Sequence, residues 1–127
     1  MIYGIGTDIV RVERMQRSLD RFGERFAARV LSSAELEDFR RSLRPAHFLA
    51  RRFAAKEAAA KALGTGFVRG LRLRDIGVGH DADGKPVLVF HGAAEALLRK
   101  LHIQATHLSL ADETDYAVAF VLLEARG

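Results

Sequence analysis

The stretch Arg52-Phe53-Ala54-Ala55-Lys56-Glu57-Ala58-Ala59-Ala60-Lys61-Ala62-Leu63-Gly64-Thr65-Gly66 leaves the chain few conformational options. Alanine has the highest helix propensity and orders no side chain, so the run predicts the second half of a helix. Pro45 suits the first turn of that helix, where its missing N–H costs nothing, and the helix runs to about Leu63. Gly64-Thr65-Gly66 ends it, because glycine readily takes the left-handed conformation that closes a helix. So few bulky side chains let other groups approach the helix axis closely. The charges carried on this scaffold, one carboxylate and several cations, can therefore meet a metal or a phosphate as well as solvent.

A second carboxylate comes from Gly4-Ile5-Gly6-Thr7-Asp8-Ile9-Val10. Residues 2–10 read as a strand with Gly4, Gly6 and Asp8 on one face and Tyr3, Ile5, Thr7 and Ile9 on the other. Glycine weakens a strand, so two beside an aspartate imply close approach by a ligand, by another backbone or by a tightly packed helix.

Residues 11–21 read as a helix with Val12, Met15, Leu19 and Phe22 in one stripe and Arg14, Arg17 and Arg21 opposite. Glu13 and Asp20 lie outside the arginine stripe, which leaves it either solvated or open to an acidic partner. Ser32 or Ser33 caps a short helix through Phe39, with acids in its first turn. Residues 76–80 and 87–90 are expected as strands around the turn Asp81-Ala82-Asp83-Gly84-Lys85-Pro86. A short amphipathic helix over 92–101 and strands over 107–110 and 116–123 complete the order. The expected fold is a single α+β domain over residues 1–127, a mostly antiparallel sheet packed on one long helix.

A net charge of +4 in 127 residues favours an acidic partner, whether nucleic acid, anionic lipid, a phosphorylated cofactor or an acidic protein. No apolar run approaches the roughly 20 residues that span a bilayer, and the amino terminus has no signal pattern, so a cytoplasmic protein is expected. The chain has no cysteine, which excludes disulfides and thiolate chemistry. The five histidines lack the helical spacing of a zinc site.

Glu57 shares its helix face with Ala50, Phe53, Ala54, Ala60, Lys61 and Gly64. A Glu57–Lys61 ion pair at i,i+4 is the ordinary reading of two such residues. The small and apolar residues around them instead turn Glu57 toward the protein, where a carboxylate needs a cation. Mg²⁺ fits, since it takes oxygen ligands from one or two carboxylates and substrate phosphates. Asp8 and Glu57 are the candidate ligands, with Lys61, Arg52 and the amides of Gly64-Thr65-Gly66 available to offset phosphate charge. His107 and Ser109 lie on one strand face at i,i+2, a spacing better suited to a structural histidine or a phosphate donor than to a nucleophile pair.

Three segments in this order, Gly4-Ile5-Gly6-Thr7-Asp8-Ile9, Phe53 to Gly66 and His107-Leu108-Ser109-Leu110, resemble the holo-[acyl-carrier-protein] synthase family, the small bacterial class of 4′-phosphopantetheinyl transferases. The resemblance extends almost end to end. It implies transfer of phosphopantetheine from coenzyme A to a serine of an apo acyl carrier protein, with release of adenosine 3′,5′-bisphosphate. It also implies that Asp8 and Glu57 bind Mg²⁺, and that these two with Lys61 carry the catalysis. Arg52, Lys61, Gly64, Pro86, His107 and Ser109 match positions at the coenzyme site. Arg14 and Arg21 match the carrier-docking helix. The family's homotrimer implies active sites at subunit interfaces, with His107 supplied by a neighbouring chain, and neither nucleic acid nor membrane as partner. Thr7 stands where a larger aliphatic residue is common, and Ala111 where a hydroxyl often follows the Leu-Ser-Leu stretch. An RNA-binding module would need aromatic platforms, which a chain with no tryptophan and two tyrosines supplies poorly. A Mg²⁺-dependent phosphohydrolase using Asp8 and Glu57 is the second alternative.

Overall fold

The computed structural model describes residues 1–67 and 70–126. In chain order the elements are β1 (Ile2–Arg11), α1 (Val12–Phe22), α2 (Glu24–Val30), α3 (Ser33–Arg40), α4 (Pro45–Leu63), a 3₁₀ turn (Leu73–Asp75), β2 (Ile76–His80), β3 (Pro86–Phe90), α5 (Gly92–Lys100), β4 (Ile103–Asp112) and β5 (Tyr116–Ala125). Strands β1, β5 and β4 form an antiparallel sheet in that order, and β2 and β3 form a separate antiparallel hairpin. The α+β class, the antiparallel pairing and the long central helix match the expectation.

Helix α4 is buried along almost its whole length, from Ala46 to Leu63, and lies across β1 and β5. Its alanines make this possible only because the strands beneath are equally sparse. Ala117 and Ala119 of β5 point inward and are fully buried. On β1, a Cβ at Gly4 would stand 2.0 Å from the Ala62 carbonyl oxygen, and one at Gly6 would stand 1.9 Å from that of Ala58. The two glycines therefore admit helix backbone, which decides between the explanations left open by the sequence.

The other face of this sheet is apolar and uncovered among the described residues. Ile5 is 53% exposed, Ile9 63% and Phe120 45%, with Tyr3, Tyr116 and Val118 beside them. An exposed apolar patch of this kind marks an interaction surface.

On its far side α4 is fixed by a buried charge cluster. Lys56 is fully buried and its ammonium donates to Glu35 Oε1 at 2.6 Å, to the Leu73 carbonyl at 3.1 Å and to the Ile76 carbonyl. Glu35 also accepts from the Ser32 and Val78 amides, each at 3.0 Å. Ser32, rather than Ser33, is the cap of α3, in a reciprocal capping box with Glu35.

Helix α2 has no counterpart in the sequence reading. Gly23, at φ 64°, ends α1, and the chain immediately re-enters a seven-residue helix that buries Ala27 and Val30. Strand β4 begins at Ile103, ahead of the expected residue 107, because its pairing with β5 continues to Ala125. Helix α1 starts at Val12, with Arg11 still paired to Tyr116 in the sheet.

Candidate functional site

The close contact of β1 with α4 sets Asp8 beside Glu57 and Lys61. Asp8 follows Gly4 and Gly6 on the inward face of β1, opposite Ala119. Lys61 Nζ reaches across from α4 and donates to Asp8 Oδ1 and to the Thr7 carbonyl, both at 3.0 Å. The Glu57–Lys61 ion pair that i,i+4 spacing permits is absent among the described residues, because Lys61 finds a carboxylate on the strand instead of one turn back on its own helix, as the inward turn expected of Glu57 requires. Glu57 is left half-buried with no ion-pair partner among the described residues. Burial, reinforced by the neighbouring Asp8 carboxylate, pushes the Glu57 carboxyl above its ordinary pKa, and Lys61 and Arg14 partly oppose this.

A half-buried Glu57 carboxyl disfavoured in its charged form beside the Asp8 carboxylate makes a site that a divalent cation would relieve. The donor set suits Mg²⁺, which leaves most of its octahedron to water and phosphate oxygens when protein supplies one or two carboxylates. No group of three or more metal-ligating side chains exists among the described residues, so an all-protein cage for calcium or zinc is not built here.

Arg52 is not at this site. It is buried on the α3-facing side of α4, its guanidinium 4.5 Å above the Phe48 ring and its Nε 3.4 Å from Glu35 Oε2. The Nε is a buried donor without a hydrogen-bond partner among the described residues. Burial lowers the Arg52 pKa from its ordinary value, against the pull of Glu35. The amides of Gly64 and Gly66 are likewise spent, on the last carbonyls of α4: Gly64 donates to Ala60 at 3.2 Å and Lys61 at 3.0 Å, and Gly66 to Ala60 at 3.3 Å. Gly64 itself is exposed, at φ 83°, with no atom within 4 Å of where a Cβ would stand.

His107 and Ser109 lie on the opposite face of the sheet from Asp8. Ser109 and Thr7 both align with the outward Phe120, whereas Asp8 aligns with the buried Ala119. His107 Nε2 is 2.7 Å from Glu124 Oε2, an orienting partner that the sequence did not signal. One chain therefore does not bring His107 and Ser109 to its own carboxylates. Pro86 opens β3 in the other sheet, paired with His80.

On α1, Arg17 is taken up by Glu13 at 2.6 Å, a pairing that i,i+4 spacing allowed but the arginine-stripe reading passed over. Arg14 stands over the Phe53 ring at 5.0 Å and Arg21 over Phe22 at 5.1 Å. A groove of about 250 Å³ lined by Phe22, Arg25, Phe26 and Arg29 continues this basic surface onto α2. A cavity of about 390 Å³ between Ser33, Arg72, Arg74 and His91 contains none of the expected site residues.

The family model for the 4′-phosphopantetheinyl transferase superfamily matches residues 4–121 of the chain. A holo-[acyl-carrier-protein] synthase of Halorhodospira halophila is 59% identical over 123 residues, covering 97% of this chain and 98% of that protein. Among solved structures, the holo-[acyl-carrier-protein] synthase of Neisseria meningitidis superposes with a TM-score of 0.93 at 48% identity, over 98% of this chain and 99% of that one. The Bacillus anthracis synthase in complex with CoA (3′,5′-ADP) gives a TM-score of 0.82 at 36% identity, over 99% of both chains.

Proposed function

The chain belongs to the 4′-phosphopantetheinyl transferase superfamily, and we infer that it works as a holo-[acyl-carrier-protein] synthase. It transfers the 4′-phosphopantetheine arm of coenzyme A to a serine hydroxyl of an apo acyl carrier protein and releases adenosine 3′,5′-bisphosphate. The observation that carries this reading is the meeting of Asp8, Glu57 and Lys61 across the β1–α4 contact. These three side chains supply a metal-ligand pair and a cation in a place where pyrophosphate charge must be managed.

Asp8 and Glu57 hold Mg²⁺ in this reading, and the ion supplies charge neutralisation at the pyrophosphate when bound. Lys61, held by Asp8 and the Thr7 carbonyl, presents its ammonium to the departing phosphate oxygens. Glu57 accepts the serine proton in this reading, directly or through a water. If Glu57→Gln kept nearly full turnover at saturating Mg²⁺ while Asp8→Asn did not, the base would be elsewhere.

The remaining coenzyme-site residues fit a site shared between chains. The exposed face with Ile5, Ile9 and Phe120 supports a homotrimer in which a second copy covers it, bringing His107 and Ser109 of one chain to the carboxylates of the next. Arg52 is assigned to the coenzyme site by the family resemblance, with its Nε left without a hydrogen-bond partner among the described residues. Gly64 and Pro86 line the coenzyme by their shape. Arg14 and Arg21 face the acidic carrier. Among the described residues no helix is long and apolar enough to cross a membrane, consistent with a cytoplasmic protein.

The test is intact-mass spectrometry of an apo carrier incubated with the protein, coenzyme A and Mg²⁺. The expected result is a gain of one phosphopantetheine that chelation abolishes. Release of phosphate from simple esters, with several folded apo carriers left unmodified, would favour the phosphohydrolase.

A further inference from the structure

Among the arginines of α1, Arg14 is held differently from its neighbours. Arg17 is neutralised by Glu13 at 2.6 Å. Arg21 leans on Phe22 of its own helix, a ring that is itself 45% exposed. Arg14 instead crosses from α1 to α4 and stacks over Phe53, 5.0 Å from the ring centre. No carboxylate lies within ion-pair distance of Arg14 among the described residues.

Phe53 is buried at the α1–α4 contact and precedes Glu57 by one helical turn. Residues at i and i+4 share a face, so the ring that carries Arg14 and the carboxylate of the site stand side by side on α4.

A guanidinium stacked on a ring keeps its N–H edge free for a planar, bidentate anion and loses less freedom when it binds one. We propose that Phe53 is a positioning residue for carrier recognition: its ring fixes Arg14 at the boundary between the docking helix and the reacting site, aimed at a carboxylate of the carrier. Arg14 thereby sets where the acceptor serine sits, while Arg21 and Arg25 add attraction without fixing register. The proposal rests on the carrier-modifying reading given above.

The test is a double-mutant cycle of Phe53→Leu and Arg14→Ala, read as kcat/KM for the carrier at saturating coenzyme A and as carrier Kd by calorimetry. In the presence of Arg14, Phe53→Leu should weaken both by about two- to five-fold, the range expected of an exposed cation–aromatic contact. In the Arg14→Ala background it should add nothing. An equal loss in both backgrounds would make Phe53 a packing residue and overturn the proposal. Phe53→Met, which fills the core without a ring, repeats the cycle should the leucine variant fold poorly. In the wild-type chain, NMR should place the Arg14 side-chain protons upfield of ordinary arginine, and their lying at ordinary positions would also overturn it. A wild-type chain that binds the carrier without modifying it would refute the transferase alone, since the cycle on Kd still decides the role of Phe53. Failure to bind any apo carrier would refute both.

Discussion

Replacing Gly6 by alanine asks whether the site is set by contact between two backbones. The new Cβ would stand 1.9 Å from the Ala58 carbonyl oxygen and 2.8 Å from the Ala62 amide nitrogen. Close carbon–oxygen contacts settle near ~3.3 Å, so β1 and α4 must part by about 1.4 Å. The backbone of a buried helix cannot swing aside as a side-chain tip would. Overpacking of this kind falls at the upper end of the usual range, about 3 kcal/mol, or roughly 10 °C in Tm for a domain of this size. The same displacement would loosen the Lys61–Asp8 contact, which is 3.0 Å in the wild-type chain. Calorimetric melting and a titration of Mg²⁺ with coenzyme A should therefore both register the change. Gly77→Ala is the control: its Cβ would meet only ordinary contacts, the nearest being Ser32 Oγ at 3.5 Å. That variant should be neutral or slightly more stable, since alanine loses less backbone freedom on folding. A Gly6→Ala protein melting within about 2 °C of wild type with unchanged turnover would refute the reasoning.

Glu57→Gln should raise Tm at pH 7, because the fold disfavours the charged carboxylate. A raised carboxyl pKa gives stability that is complete below the ordinary glutamate range and lost as pH climbs through the folded value, so the advantage of glutamine should vanish below about pH 4. Mg²⁺ should raise Tm in the wild type and not in the variant. Lys56→Met should cost about 3–5 kcal/mol in urea unfolding, since Glu35 would keep its buried charge without its cation. Mixing inactive Asp8→Asn with inactive His107→Ala chains should restore activity if sites are shared between copies, and no recovery after subunit exchange would count against it. Arg21→Glu should raise KM for the carrier, mimic added salt and leave KM for coenzyme A unchanged, and equal effects on both substrates would refute docking by α1.

The residues that name the chemistry were legible because they are short-range patterns. Alternation alone put Gly4, Gly6 and Asp8 on one face of β1, and helical spacing alone put Glu57 and Lys61 on one face of α4. What the sequence could not rank was distance across elements. Lys61 has two carboxylates in reach, and only the tertiary contact shows that it takes Asp8. The burial of Arg52 was not legible, because a guanidinium usually stays at the surface and only the tertiary fold supplies the Phe48 ring and Glu35 that cover it. Lys56 was invisible for the same reason, since nothing in an alanine-rich helix says which of its lysines faces inward. Helix α2 escaped because seven residues after a glycine are too few for a periodic signal.

The lysine at the centre of the fold also bears on how the chain comes apart. Its three acceptors belong to α3, the 3₁₀ turn and the start of β2, while α4 carries it, and the Val78 amide closes the ring through Glu35. Losing any one of these segments strands an ion in an apolar interior, so partial opening there is nearly as costly as opening everything. These four segments should therefore exchange amide hydrogens as one cooperative unit, with Val78 among the slowest.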